Sequence, residues 1–208
     1  VSCDLLDLLN EDFWTGGSLD DFFNCLVGRQ LGPGGRFTPR MEALLEEPDA
    51  SCVALNGVIY PNPLYFMRHT DEWSSYMEDQ IFFRGAVHGD LHGDNLLASD
   101  NTYSVIDYDS AATDSYLLFD HAYFELSIDY DNSRDNDLKR WGTMVEHLVT
   151  LSLTQTVEPG PCYKEYQVRN GVCNGILDWM KKHRQENLVE DLELQLMLAR
   201  IAAGINFF

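Results

Sequence analysis

The sequence is poor in basic residues, and lysine is absent from its first two thirds. Only 14 Lys and Arg stand against 34 Asp and Glu in 208 residues, which gives a formal net charge of −20. The first lysine of the chain is Lys139. Such an acidic surface repels phosphate backbones and anionic lipid headgroups. We therefore expect neither nucleic acid nor a membrane surface among the partners.

Paired cysteines and long apolar runs are also lacking. The five cysteines are odd in number, widely spaced and without a CxxC pair, so they predict neither a disulfide framework nor a zinc site. The most apolar stretch, Leu192 to Phe208, is interrupted by charged and amide side chains and is too polar for a membrane span. These absences favour a soluble, cytoplasmic protein. The chain starts at Val1 instead of Met, so we expect a segment of something longer.

The sequence does contain enough apolar residues for a core. Hydrophobic residues make up 45% of the chain and aromatic residues 12%, which predicts one folded domain. Two short apolar runs flank the turn-forming Ser99-Asp100-Asn101 and predict a small hairpin. Residues 1–84 are interpreted as a lead-in of helices and irregular turns. Apolar residues at helical spacing predict helices at about 19–30, from Thr38 to Leu45, and at 119–129, 137–153, 163–182 and 188–206.

A dense polar segment lies around the predicted hairpin. Asp90 and Asn95 stand five residues apart before it, and Asp107 follows its second strand. Phosphoryl transfer needs a carboxylate near the attacking hydroxyl and oxygen ligands for the Mg²⁺ that bridges the nucleotide phosphates. This spacing supplies both kinds of group. The polar residues of the segment are His88, Asp90, His92, Asp94, Asn95, Asp107 and Asp109.

The pattern His88-x-Asp90-x-x-x-x-Asn95 resembles the catalytic loop of the kinase superfamily, and Val105-Ile-Asp107 resembles its metal-binding strand end. The HGDLH form is similar to that of the small-molecule branch, the aminoglycoside phosphotransferases and the choline and fructosamine kinases. Those families carry a further Asp in the helix that follows, and Asp120 matches it. The resemblance covers about residues 87–123.

The resemblance implies an α+β, mostly helical fold like the C-terminal lobe of a protein kinase. Residues 85–110 would form the catalytic loop and metal-binding hairpin, and residues 111–208 a helical subdomain of the same single domain. The intact protein would transfer the γ-phosphoryl group of ATP to a hydroxyl of a small molecule, with Mg²⁺ as cofactor. An acidic face suits a cationic substrate, although acidity for solubility alone explains the same charge.

The resemblance also implies a role for each motif residue. Asp90 would orient the substrate hydroxyl or accept its proton, and Asn95 and Asp107 would hold Mg²⁺ and thereby the nucleotide. The supporting roles fall to three residues: His92 near the transferring phosphate, His88 as a buttress of the loop, and Asp120 as a brace of the loop backbone.

Two alternatives remain open at this point. A kinase needs a strand-borne lysine in its nucleotide lobe, and no lysine precedes the loop in this sequence. Either the nucleotide lobe belongs to other domains of a longer chain, or this chain is a degraded, kinase-like interaction or regulatory module. The chain also resembles kinase-like domains attached to larger signalling proteins, such as the ternary-complex-associated domains that accompany STAND-type ATPases. Gly89 to Gly93 also resembles the GDxHG motif of metal-dependent phosphoesterases, but the later GDxxDRG and GNHE segments do not occur.

The substrate pocket is not readable from the sequence. Aromatic residues after the hairpin either line an acceptor pocket or belong to the core, and their helical spacing favours the core. These residues are Trp141, Tyr163, Tyr166 and Trp179.

Overall fold

The computed structural model describes residues 13–55, 57–74, 77–99, 102–133, 153 and 163–207, which form a mixed α+β structure. Its α-helices are α1 (Leu19–Leu31), α2 (Phe37–Leu44), α3 (Pro63–Arg68), α4 (Thr70–Ser74), α5 (Phe119–Ser133), α6 (Tyr163–His183) and α7 (Val189–Asn206). Its strands are β1 (Trp14–Thr15), β2 (Cys52–Leu55), β3 (Val58–Pro61), β4 (Phe83–Val87), β5 (Leu96–Ser99), β6 (Thr102–Val105) and β7 (Ala112–Tyr116). Short 3₁₀ turns occupy Gly93–Asn95 and Glu186–Leu188.

The strands form three small antiparallel sheets. One sheet has the order β1-β4-β7, and the other two are the hairpins β2-β3 and β5-β6. Strand β4 lies in the middle of the first sheet and pairs with β7 through Arg84 opposite Tyr116 and Gly85 opposite Ser115. The pairing then shifts register before Val87. His88 therefore follows directly after a strand that is paired on both sides.

The structure confirms most of the predicted helices and the predicted hairpin. Helices α1, α5, α6 and α7 occupy the expected regions, and β5-β6 is the hairpin around residues 99–101. Helix α1 begins where its cap predicts, because the Ser18 hydroxyl accepts from the Asp21 N–H while the Asp21 carboxylate accepts from the Ser18 N–H. The helix expected at 137–153 lies almost entirely outside the described residues.

The lead-in differs from its prediction, since residues 1–84 contain strands as well as helices. Strands β2 and β3 are separated by Asn-Gly at 56–57, and Gly57 has a φ of +82°. A two-residue Asn-Gly loop is the commonest sequence signal for a hairpin, because its residues adopt positive φ readily. In α2, Met41 is buried but Leu44 is 70% exposed, so the expected apolar stripe is only partly buried.

The core lies between α7 and the elements that surround it. Helix α7 packs against α1 and α5 through a face of Leu192, Leu196, Ala199 and Ala203. Alanines on this face let the neighbouring helices approach closely, since they present little side-chain volume. Trp179 of α6 is fully buried, and its ring meets Phe13 edge-on at 4.8 Å.

A glutamine fixes β4 to α7. The buried Gln195 side chain accepts from the Phe83 N–H at 2.7 Å and donates to the carbonyls of Phe83 at 2.9 Å and Leu117 at 2.8 Å. Its amide thus bridges the two strands where their pairing ends, next to the bond that the Leu117 N–H donates to the Phe83 carbonyl. The beginning of β4 and the end of β7 are held at one place on α7.

Two buried ion pairs hold α5 to the helices behind it. Arg169 of α6 donates to Asp129 at 3.0 Å, and Arg200 of α7 donates to both oxygens of Glu125 at 2.9 and 3.1 Å. Side chains of Asp129 and Glu125 are each only 2% exposed. Removing one partner of such a pair leaves an uncompensated buried charge. Helix α5 is therefore a fixed support.

Within the described part of the chain, no helix is both long enough and apolar enough to cross a bilayer.

Candidate active site

The candidate site is built on the segment His88–Asn95, here named the acidic loop. It leaves β4, passes through a 3₁₀ turn at Gly93–Asn95 and enters β5. Gly89 has a φ of +82°, and a Cβ atom placed there would lie 2.3 Å from the carbonyl oxygen of Ser110. Only glycine combines that conformation with so close a backbone contact. The acidic loop is thereby pressed against the segment that follows β6.

Asp120 lies beneath the acidic loop, at the first turn of α5. Its carboxylate accepts from the backbone N–H of His88 at 2.5 Å and from that of Gly89 at 2.8 Å. The side chain is 2% exposed. Burial raises the pKa of Asp120, and the two N–H donors oppose the rise because they favour the charged form. One carboxylate thus satisfies two successive loop donors, which is the geometry expected of a residue that braces the loop backbone.

His88 is fully buried and joins the acidic loop to the segment after β6. Its Nε2 lies 2.8 Å from the carbonyl oxygen of Ile106. A carbonyl can only accept, so Nε2 carries the proton and donates. The ring also packs at 4.9 Å from the ring of Tyr108. This position is that of a buttress and is remote from solvent, so His88 is badly placed to shuttle protons.

Asn95 and Asp107 flank the base of the β5-β6 hairpin, directly before β5 and two residues after β6. The Asn95 amide donates through Nδ2 to the carbonyl oxygen of Asp90 at 3.0 Å, and its backbone carbonyl accepts from the Ile106 N–H at 3.0 Å. The side-chain nitrogen is engaged in this bond, so the side-chain oxygen is the atom with which Asn95 could bind a metal. Asp107 is exposed and has a φ of +62°, an unusual conformation for a residue with a side chain.

Asp90 presents its carboxylate at the surface of the loop. The side chain is 44% exposed, and Oδ2 lies 4.0 Å from Nε2 of His92. Tyr123, on α5, lies close enough to Asp90 to feel its charge. Burial, followed by the charge of Asp90, raises the pKa of Tyr123 to about 12. Tyr123 is not among the expected site residues, because its proximity to Asp90 depends on how α5 packs beside the loop.

The other expected residues are more dispersed. Asp94 and Asp109 are exposed near the loop. Tyr166 and Trp179 are buried in the core, while Trp141 lies outside the described residues. Across the described ranges, no three His, Cys, Asp or Glu side chains form a group that could hold a metal ion by themselves. Mg²⁺ is commonly held by one or two protein oxygens together with substrate phosphates and water, so Asn95 and Asp107 fit that smaller requirement.

The fold and the site define an α+β protein whose acidic loop is braced from below by a buried aspartate and is joined to an adjacent hairpin. The family model of ternary complex associated domain 9 matches residues 32–173. This match spans more than half of the chain and includes the acidic loop, Asp107 and Asp120, so the chain belongs to that family. Comparison with curated proteins returned no match, and comparison with solved structures returned none.

Proposed function

We propose that this chain is the catalytic-loop lobe of a small-molecule kinase, with a fold like the C-terminal lobe of protein kinases. In this proposal the intact protein transfers the γ-phosphoryl group of ATP to a hydroxyl of a small molecule. The observation that carries the proposal is the double anchoring of the loop. Asp120 binds the N–H groups of His88 and Gly89, and Asn95 binds the carbonyl of Asp90. These bonds leave the Asp90 carboxylate exposed on a fixed backbone.

Each residue then has a defined task. Asp90 accepts a hydrogen bond from the substrate hydroxyl, orients its oxygen and takes its proton as transfer proceeds. Asn95 and Asp107 would hold Mg²⁺ through their side-chain oxygens, and the ion would supply positive charge against the phosphates. His92 lies beside Asp90, where it can donate to a phosphate oxygen. Asp120 and His88 act through the backbone and touch no reacting atom.

The charge of the region supports a requirement for metal. Asp90, Asp94, Asp107 and Asp109 bring four carboxylates to one part of the surface, and the chain carries a net charge of −20. A nucleoside triphosphate is repelled by such a surface unless a cation lies between its phosphates and the carboxylates. The same charge favours an amine or amino sugar as the acceptor. Free Cys25, Cys52 and Cys173 are consistent with a cytoplasmic location.

A second candidate function is that of an interaction module. The family's name, ternary complex associated domain, points to assembly with other components. No lysine precedes Lys139 in the chain, so a lysine for the nucleotide phosphates would have to come from another lobe or another protein. In this alternative the acidic loop is a structural remnant, and recognition of partners replaces catalysis.

Isothermal titration of this chain and of the full-length protein with Mg²⁺ and ATP separates the two functions. The kinase proposal predicts that the full-length protein binds Mg·ATP. It also predicts that Asp107→Asn weakens Mg²⁺ binding at least tenfold while Asp90→Asn leaves it largely intact, because only Asp107 is assigned as a ligand. Asp178→Asn, on an exposed face of α6, is the control. If neither protein binds Mg·ATP, the interaction module is the better description.

A further inference from the structure

Helix α7 is apolar on its outer face as well as on the face that packs in the core. Met197 is 55% exposed and Ile201 is 44% exposed. They precede the buried Ala199 and Ala203 by two residues each, which places them about 200° around the helix axis from the core face. Leu194, three residues before Met197, lies on the same side and is partly buried. These three residues, Leu194, Met197 and Ile201, are here named the α7 stripe.

The α7 stripe departs from the usual pattern of a surface helix, which carries polar residues opposite its buried face. Single exposed apolar residues are common on protein surfaces and need no explanation. The stripe is different, because its members follow one another at helical spacing. It continues to Gly204, where an added Cβ atom would meet no other atom within 4 Å. Such a surface is of the kind on which a second helix packs, ridge into groove.

The charged residues that accompany the α7 stripe are acidic. Glu190 and Glu193 precede Met197 on the same side of the helix. The one basic residue of α7 is Arg200, and its guanidinium is bound to both oxygens of Glu125. The helix dipole favours acidic residues in the first turn, which accounts for Glu190 but not for Glu193, beyond that turn.

Glu193 is incompletely solvated. Its Oε1 atom is shielded from solvent and has no hydrogen-bond partner in the described structure. A carboxylate that loses water at one oxygen without gaining a donor is less well stabilised than a free surface carboxylate. A cation placed beside the other oxygen would therefore stabilise Glu193 more than it would stabilise a fully hydrated side chain.

We propose that the α7 stripe is a docking surface for a basic amphipathic helix of a partner protein. The apolar side of the partner helix would cover Met197 and Ile201, and its Lys or Arg side chains would lie beside Glu190 and Glu193. Helices that bind in this way carry apolar anchors at i, i+4 and i+7, which is the spacing that the α7 stripe can receive. The proposal uses no residue of the acidic loop, so it holds whichever of the two functions proposed above is correct.

A second copy of this chain fits the surface less well than a basic partner does. Each copy has a net charge of −20, so the approach of two copies brings like charges together. A second α7 would also present its own Glu190 and Glu193 where cations are needed. A basic partner gains from the same field, which raises its association rate. Charge therefore favours a basic helix over self-association.

The test is a titration of the whole chain against synthetic fluorescent peptides of 18 residues, the length of α7, followed by fluorescence anisotropy. The first peptide has leucine at i, i+4 and i+7 and lysine at the flanking positions. The second has glutamate in place of each lysine, and the third has the composition of the first in scrambled order. We expect the first peptide to bind at least about tenfold more tightly than either of the others. Its affinity should fall as NaCl is raised from about 0.05 M to about 0.5 M.

Substitution of the apolar residues locates the surface. The double variant Met197→Gln/Ile201→Gln should weaken binding of the lysine peptide at least about tenfold, because the apolar contact is lost. Leu44→Gln/Ile59→Gln is the matched control, since these residues are 70% and 72% exposed on α2 and β3, and it should bind the peptide like wild type. All four side chains are exposed, and the urea midpoint of unfolding checks that both variants remain folded.

A charge variant tests the assigned cation position. Glu193→Gln should weaken binding of the lysine peptide about threefold and reduce its dependence on salt. Glu46→Gln removes the same charge from an exposed position after α2 and should leave binding unchanged.

Three results would overturn the proposal. Equal losses in the stripe variant and in its matched control would mean that the peptide binds the acidic protein without a defined site. A dimer in sedimentation equilibrium that Met197→Gln/Ile201→Gln abolishes would make the face an interface between copies. Peptide binding that occurs only after Trp141→Gln, in the part of the chain outside the described residues, would assign the face to the chain's own segment.

Discussion

At the residue scale, Asp120 contributes both charge and geometry to the acidic loop. It is buried beneath the N–H groups of His88 and Gly89, and burial raises its pKa despite those two donors. A pKa raised in the folded state means that the folded chain binds the proton more tightly than the unfolded chain does. The stability that this linkage contributes is therefore fully present below the unfolded pKa and is lost as the pH rises through the folded pKa.

We predict that Asp120→Asn lowers the free energy of unfolding at neutral pH by about 2 kcal/mol, because an amide NH₂ then faces a backbone donor. The gap between wild type and variant should widen as the pH falls from about 7 toward 4, since only wild type gains the proton on this group. Urea unfolding at several pH values measures the gap, with Asp178→Asn as the exposed control. A gap that narrows toward acid pH would contradict the raised pKa.

At the scale of elements, a side chain of α7 ties together the ends of β4 and β7. Gln195 binds the N–H and carbonyl of Phe83 and the carbonyl of Leu117. The Phe83 carbonyl also accepts from the Leu117 N–H, so it keeps a partner if Gln195 is removed. The Phe83 N–H and the Leu117 carbonyl depend on the glutamine.

We predict that Gln195→Met destabilises the protein by roughly 2 to 4 kcal/mol, because it retains the volume but leaves two buried backbone groups unpaired. Gln167→Met, at an exposed position of α6, should change stability by less than about 0.5 kcal/mol. Thermal or urea unfolding of both variants gives the comparison. Equal effects would mean that the backbone groups find water or another partner.

The elements differ in how far they can be predicted from sequence. Helix α1 is predictable because Ser18 and Asp21 form its cap locally, and the β5-β6 hairpin because turn residues separate two apolar runs. Strand β7, in contrast, reads Ala-Thr-Asp-Ser-Tyr and carries little strand propensity of its own. Its residues form a strand because they pair with β4, and this pairing cannot be recognised from the local sequence.

The same distinction applies within the site. The spacing of His88, Asp90 and Asn95 is a local pattern and could be recognised directly. The proximity of Tyr123 to Asp90 could not, since nothing in the local sequence of α5 shows that it packs beside a loop about thirty residues earlier. The Asn-Gly pair at 56–57 is a local signal for the β2-β3 hairpin, but the residues around it have helical character.

At the scale of the whole molecule, the charge of −20 sets the conditions under which the chain is stable. Like charges on a compact surface repel one another, and dissolved ions screen this repulsion. The buried pairs Arg169–Asp129 and Arg200–Glu125 are sheltered from that screening.

We predict that the midpoint of thermal unfolding rises as NaCl is increased from about 0.01 M to about 0.15 M, where the Debye length falls from about 30 to about 8 Å. Differential scanning calorimetry over this range provides the measurement. A falling midpoint would mean that attractive surface pairs outweigh the general repulsion.

The contacts between α5 and the acidic loop impose a strict limit on chain length. Asp120 binds the Gly89 N–H, Phe124 packs against the cluster of Leu91 and Val105, and Ile128 lies beside Gly93. The spacing of these residues along the helix therefore matches the spacing of their partners along the loop. One residue inserted between Asp120 and Ile128 would turn the later contacts about 100° around the helix axis. Helices elsewhere on a surface can absorb such a change by rotating. This helix can do so only by giving up the geometry of the loop, so insertions and deletions here act on the site as directly as a substitution within it.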